Sequence, residues 1–223
     1  MTRPSCLYEA VLFDLDGTLL DTAPDFAVVL NQLPNANDLP PMAYPDIRAL
    51  VSNGSKALVE QGLHIEESHP SFAEQRQALL DGYLNHLAVK TTLFPSLDEL
   101  LLQLEQQHIP WGIVTNKPVL YAAPLLEQLA LAQRCSTLVC PDHVTQRKPD
   151  PESLFLACKT LKAAPQKSVY VGDHPRDIQA GINAGMTTIT AAYGYLDPTD
   201  QPASWGADAL AEQPEALHSL IFS

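Results

Sequence analysis

The chain has 223 residues, 46% hydrophobic and 17% charged, with a formal net charge of −13. That length can bury an α/β core plus a small accessory unit, and the composition excludes a disordered or membrane-saturated chain. The acidic balance speaks against nucleic acid as a partner, and any anionic ligand would need a local site built from cations, backbone N–H groups or a metal.

The opening residues, "MTRPSCLYEAVLF", lack the apolar core and cleavage site of a signal peptide. No uncharged apolar run reaches the roughly 18 residues of a membrane span. The expectation is a cytoplasmic protein without a membrane partner. Cys6, Cys135, Cys140 and Cys158 show no metal-finger or CxxC spacing and read as reduced thiols.

The first element is the apolar run "AVLF" (10–13), a buried strand. Asp14, Asp16 and Asp21 follow at once. Neighbouring carboxylates repel and are costly to desolvate, so they call for a cation, a reaction or plain exposure at a turn. From 22 to 89 the patterns are helical, in "APDFAVVLNQL", "YPDIRALV", "GSKALVEQGL" and "SFAEQRQALLDGYLNHL", separated by "LPPMAYP" and "SNG". These predict a core made of 1–21 and 90–223 with an α-helical module, 22–89, over the C-terminal end of the first strand. Open α/β sheets bind ligands at that end. The alternative is that the helices simply pack on the sheet.

In "SLDELLLQLEQQ", Ser96 and Glu99 have capping-box spacing. Strand "WGIVT" (111–115) runs into Thr115-Asn116-Lys117 and a helix, an end that offers a hydroxyl and N–H groups to an anion or is an ordinary cap. Strand "STLVC" (136–140) precedes Lys148-Pro149 and "DPESLFLACKTL", with Asp150 as N-cap and Pro151 at the first helical position. Strand "SVYVG" (168–172) leads to Asp173, His174 and Asp177, then to a helix ending on Gly185. "TTITA" (187–191) is the last strand; "YGYLDP" and "WGAD" read as structural, and the histidines other than His174 as surface residues. Strands alternating with helices predict a doubly wound parallel sheet, Rossmann-like.

Four motifs, "DLDGT" (14–18), "VTN" (114–116), "KP" (148–149) and "GDHPRD" (172–177), together resemble the haloacid dehalogenase-like phosphohydrolase superfamily over essentially the whole chain. The 22–89 insertion resembles its helical cap. "VSNGSKALVEQGL" is similar to the phosphoglycolate phosphatase branch. "WGIVTNKP", "CPDHV", "ACKTL", "YGY" and "WGAD" are closer to bacterial N-acetylmuramic acid 6-phosphate phosphatases of cell-wall recycling. The resemblance implies a magnesium-dependent phosphomonoesterase acting on a small phosphorylated metabolite, with that substrate ahead of 2-phosphoglycolate, in a monomer or weak homodimer.

Chemistry gives these residues roles. A phosphate monoester repels anionic nucleophiles, so catalysis means neutralising charge and fixing in-line geometry. A divalent cation between Asp14 and Asp173 would relieve their repulsion; the Asp16 carbonyl as a further metal ligand is implied by the resemblance. Asp14 would attack phosphorus to give an aspartyl-phosphate, and Asp16 would protonate the leaving alkoxide and later deprotonate water. Thr115, the Asn116 N–H and Lys148 would hold the remaining phosphoryl oxygens. Asp177 and His174 stand behind the metal, His174 as donor to a metal-bound water or as an exposed helix-start residue. Ser52, Asn53 and Gly54 form a cap loop expected to face the site, with an amide for the leaving group; a solvent-facing turn is the alternative. A phosphomutase sharing this core, or a non-catalytic relative, remains open, the latter disfavoured by retention of Asp14 and Asp16.

Overall fold

The computed structural model describes residues 4–33 and 40–223. Residues 1–3 of the expected core and 34–39 of the expected insertion, including Leu39 of the proline-rich separator, lie outside them.

Strand β1 (Ala10–Phe13) is buried at every position, as a strand covered on both faces must be. Strands β2 (Leu20–Asp21) and β3 (Thr92–Leu93) pair antiparallel, and between them lie α1 (Ala23–Leu30), α2 (Tyr44–Leu50), α3 (Gly54–Gly62) and α4 (Phe72–Leu84). The chain then alternates through α5 (Leu97–Gln106), β4 (Trp111–Val114), α6 (Val119–Gln128), β5 (Thr137–Val139), α7 (Glu152–Leu161) and β6 (Ser168–Gly172). It finishes with α8 (Pro175–Ala184), β7 (Thr187–Ala191), β8 (Ala209–Ala211) and α9 (Ala216–Ile221).

Six strands form one parallel sheet in the order β5-β4-β1-β6-β7-β8. Alternation along β1 sends Val11 and Phe13 into one apolar layer and Leu12 into the other, so helices cover both faces. Helix α5 shows how they do it: Leu97, Leu100, Leu101 and Leu104 recur at helical spacing and are buried together. The chain leaves β1 toward β4 and β5 on one side and returns through β6, β7 and β8 on the other. The topological switch therefore lies at β1, and open α/β sheets bind ligands outside the carboxyl ends of the strands at such a point.

Beside the β2–β3 ribbon, the fully buried Asp25 of α1 accepts hydrogen bonds from Lys90 N (2.8 Å), Thr91 N (3.1 Å) and Thr91 Oγ1 (2.6 Å). One carboxylate thus staples the outgoing and returning segments of the helical insertion together.

Several local expectations shift. Ser96 is the N-cap of α5, but its backbone is left-handed (φ 65°) and its hydroxyl does not cap; it reaches Glu215 Oε1 at 3.5 Å. Side-chain capping needs an extended N-cap backbone, which Ser96 lacks. In α7 the cap position is taken by Pro151, while Asp150 Oδ1 still accepts from Glu152 N at 2.9 Å. Gly185 does close α8 with φ 70°. His86 is half-buried with Nε2 3.6 Å from Asp25 Oδ1 and so departs from the surface expectation; His143 is exposed as expected, with Nδ1 accepting from Cys140 N. All four cysteines are free thiols.

Candidate active site

Phe13, Val114 and Gly172 are the last residues of the three central strands, and Asp14, Thr115 and Asp173 follow them directly. Register brings them together: Phe13 lies opposite Ile113 and Val171, so Asp14 is level with Val114 and Gly172, and Thr115 and Asp173 stand one residue further along the neighbouring strands. Asp14 N donates to Val171 O at 2.8 Å, extending the ladder one step and fixing the first carboxylate.

The "DLDGT" loop then curls back, with Gly17 N donating to Leu20 O at 3.0 Å. Gly17 has φ +80°, and a Cβ there would lie 2.2 Å from Asp173 Oδ2, so both conformation and space require glycine. Thr18 is fully buried and its hydroxyl donates to Asp173 Oδ1 at 3.0 Å. From the other side, Tyr195 N donates to Asp173 Oδ2 at 2.9 Å, and a Cβ on Gly194 would strike Asp173 Cβ at 2.2 Å. The 193–195 segment, read from sequence as structural, therefore forms a wall of the site.

At the start of α8, His174 is the N-cap. Its Nδ1 accepts from Arg176 N at 3.2 Å, and Asp177 Oδ2 accepts from His174 N at 3.1 Å. Burial first, then the nearby Arg176 charge, push the imidazole down to about 4, which matches a ring nitrogen that serves as acceptor. His174 is half-buried rather than simply exposed.

Asp14, Asp173 and Asp177 are all buried and each offers an oxygen within 4.8 Å of the others. Burial first, then the charges of Asp14 and Asp177, push the Asp173 carboxyl up to about 7. Lys148, also buried, meets this cluster: its Nζ donates to Asp14 Oδ1 (2.9 Å), Val114 O (3.0 Å) and Tyr170 OH (2.7 Å), and lies 2.7 Å from Asp177 Oδ1. Burial acts against the ammonium, but the Asp14 and Asp177 charges outweigh it and hold it above its ordinary value. Asp177 Oδ1 is buried without a well-aligned hydrogen bond despite that ion pair. Three converging hard-oxygen donors, two of them carboxyls that burial raises (Asp173 and Asp177), and one poorly satisfied oxygen fit a divalent cation of the magnesium or calcium type.

Asp16 stands apart from this cluster. Its Oδ1 accepts from Thr22 Oγ1 at 2.6 Å and from Lys117 Nζ at 2.9 Å. Thr115 Oγ1 accepts from Lys117 N at 3.1 Å, which leaves the hydroxyl hydrogen free to donate elsewhere. Asn116 Nδ2 donates to Lys148 O at 3.2 Å, so its side chain steadies the lysine's segment.

The helical insertion reaches the same place. Ser52 is buried and its hydroxyl donates to Asp173 Oδ2 at 3.2 Å, while its carbonyl accepts from an Arg176 amino group. Arg48 donates to Gly194 O and Tyr193 O, both at 2.7 Å, and covers the Tyr195 ring at 4.9 Å. Asn53 is exposed and makes no side-chain cap to α3, and Gly54 carries φ 83°. Of the expected loop, Ser52 is the residue brought to the carboxylates. Thr18, Thr22, Arg48, Lys117, Arg176 and Tyr195 were not singled out from sequence. Thr18, Lys117, Arg176 and Tyr195 lie inside stretches already quoted, and adjacency was their available signal.

The haloacid dehalogenase-like hydrolase family model matches residues 11–191, which include Asp14, Asp16, Thr115, Lys148, Asp173 and Asp177. The chain belongs to that family. Among relatives of this hydrolase, the N-acetylmuramic acid 6-phosphate phosphatase of Pseudomonas aeruginosa is 44% identical over 96% of this chain and 94% of its own. A phosphoglycolate phosphatase of Xanthomonas campestris is 41% identical over 93% and 94%. Among solved structures, a Haemophilus somnus protein described as a predicted phosphoglycolate phosphatase superposes with a TM-score of 0.84 at 24% identity, covering 96% of this chain and 98% of that one. That likeness establishes the fold. Among the described residues, no helix of this haloacid dehalogenase-like hydrolase is long and apolar enough to cross a membrane.

Proposed function

We propose that this chain hydrolyses a phosphate monoester of a small metabolite through an aspartyl-phosphate on Asp14, in the cytoplasm, with N-acetylmuramic acid 6-phosphate ahead of 2-phosphoglycolate as substrate. The observation that carries this reading is the separation of two neighbouring carboxylates into different environments. Asp14 belongs to the buried cluster with Lys148, and Asp16 lies outside it on Thr22 and Lys117. Carboxylates in contrasting surroundings suit contrasting roles. The substrate order is supported by the 44% and 41% identities to the two kinds of relative.

Asp14, Asp173 and the Asp16 carbonyl would hold Mg²⁺, which when bound neutralises phosphoryl charge. Asp14, steadied by Lys148, attacks phosphorus, and the bond to the leaving oxygen breaks. Asp16 gives that oxygen its proton. Water then attacks phosphorus, Asp16 takes the proton, and the bond to Asp14 breaks to release phosphate. The Thr115 hydroxyl and the Asn116 N–H hold the remaining oxygens, and the Lys148 charge lies beside them. Residues 1–21 and 90–223 form the core and 22–89 the cap, whose Ser52–Asn53–Gly54 loop meets the leaving group.

The test is kcat/KM for N-acetylmuramic acid 6-phosphate, 2-phosphoglycolate, hexose phosphates and p-nitrophenyl phosphate, each with Mg²⁺ and with EDTA. Metal-dependent phosphate release, fastest for the muramic ester, is expected. Isomerised phosphate esters without free phosphate would instead identify a mutase, and 2-phosphoglycolate as the best substrate would reverse the order.

A further inference from the structure

Lys117 takes no part in the chemistry set out above, yet it is the cation that touches Asp16. Its Nζ lies 2.9 Å from Asp16 Oδ1, with the lysine side chain 6% exposed and the aspartate 16%. The same ammonium sits 4.5 Å from the Tyr83 ring centroid and 5.0 Å from that of Phe26. Those rings are stacked, centroids 3.8 Å apart and 6° from parallel, and come from α1 and α4 of the helical insertion. The lysine is thus enclosed between an aromatic pair of the insertion and one oxygen of the aspartate, which leaves it no room to serve as a substrate anchor.

Two donors, Lys117 and Thr22, converge on Oδ1 of Asp16. Oδ2 is left for other partners. Filling the space beside the rings with an apolar side chain would avoid desolvating an ammonium, since buried ion pairs are often no more stable than hydrophobic replacements. A lysine here therefore points to a use other than stability. After Asp16 hands its proton to the leaving oxygen, the carboxylate left behind has a positive charge at hydrogen-bond distance.

We propose that Lys117 is a positioning residue that holds Asp16 through Oδ1, turns Oδ2 toward the leaving-group oxygen, and ties this orientation to the insertion through Phe26 and Tyr83. The proposal rests on the phosphatase reading. It requires Lys117 to matter in proportion to the need for leaving-group protonation, which a purely structural lysine would not do.

The experiment compares wild type, Lys117→Met, Lys117→Arg, Asp16→Asn and Asp16→Asn/Lys117→Met on an alkyl phosphate and on p-nitrophenyl phosphate, with melting temperatures recorded in parallel. Lys117→Met leaves Asp16 partly exposed and still bonded to Thr22, so no buried charge is stranded. Its kcat on the alkyl ester should fall by about ten- to a hundredfold, a share of the full acid–base contribution, and by less than about threefold on p-nitrophenyl phosphate. The double variant should be no slower than Asp16→Asn alone, and Lys117→Arg should recover most of the loss. Equal losses on both esters, or additive losses in the double variant, would overturn the proposal. If Lys117→Met does not fold, Lys117→Gln is read by the same criteria. If wild type cleaves neither ester, the phosphatase reading itself falls, and the role given to Lys117 falls with it.

Discussion

Replacing Lys148 by Met removes the ammonium that faces Asp14 at 2.9 Å and Asp177 at 2.7 Å while keeping the length of the stem. Both carboxylates are buried, beside a third, Asp173, with an oxygen within 4.8 Å. Deleting one partner of a buried ion pair costs about 3–5 kcal/mol, because the remaining charge stays desolvated. For a chain of this size each kcal/mol moves the melting temperature by about 2–4 °C, so the metal-free variant should melt about 6–20 °C below wild type. The sign with pH follows from the raised lysine. Its stabilising contribution is fully present below its ordinary value and is lost only as pH rises through the raised one, so neutral solution lies inside the window. As pH falls below neutral, Asp173 and Asp177, whose carboxyls burial already raises, take up protons and relieve the stranded charge, so the deficit should shrink in acid. The assay is thermal unfolding in EDTA at neutral and at acid pH. A drop under about 2 °C at neutral pH, or an equal drop in acid, would refute the reasoning.

Metal-free wild type should lose stability as pH rises from the ordinary carboxylate range through about 7, because Asp173 is protonated in the fold below that point and must ionise among like charges above it. Added Mg²⁺ should then raise the melting temperature most at the alkaline end; a flat response in EDTA would contradict this. Asp14→Asn should abolish turnover with a near-normal circular dichroism spectrum, and activity above a few per cent of wild type would remove Asp14 as nucleophile. Asp25→Ala leaves the Lys90 and Thr91 donors without their acceptor and should cost about 1–3 kcal/mol or more, with faster proteolysis near the β2–β3 ribbon. Unchanged urea unfolding would show that the staple adds nothing.

Long apolar periods and motif residues at strand ends are legible in the sequence alone. The five sequence stretches from "AVLF" to "TTITA" are each four or five residues long, enough to carry a pattern even where the strand itself is only Thr137–Val139, and Asp14, Thr115 and Asp173 are each fixed by the strand they follow. The ribbon of Leu20–Asp21 with Thr92–Leu93 and the edge strand Ala209–Ala211 were not, because two or three residues hold no period and owe their form to neighbours. Lys117 and Arg48 were missed for a different reason. Their partners lie 101 and 145–146 residues away in sequence, so adjacency to a motif could flag Lys117, but no local pattern shows which distant segment will enclose either side chain. Ser96 misled because a capping-box pattern specifies residue types, and the backbone conformation that makes capping possible is set by the preceding turn.

The two ends of the helical insertion meet, with Leu20 opposite Leu93 and Asp21 opposite Thr92. Once the ends are fixed side by side, the entropy of closing the intervening chain grows only with the logarithm of its length. Segments of different length or sequence could therefore be spliced in at the ribbon without disturbing β1 or its ladder to β4 and β6. A double-stranded attachment also restrains twisting more than bending, so such a graft would swing over the carboxylates about one axis, like a lid on a single hinge. Under the proposed function, exchanging this cassette would change substrate preference while the carboxylate cluster beneath it stays the same.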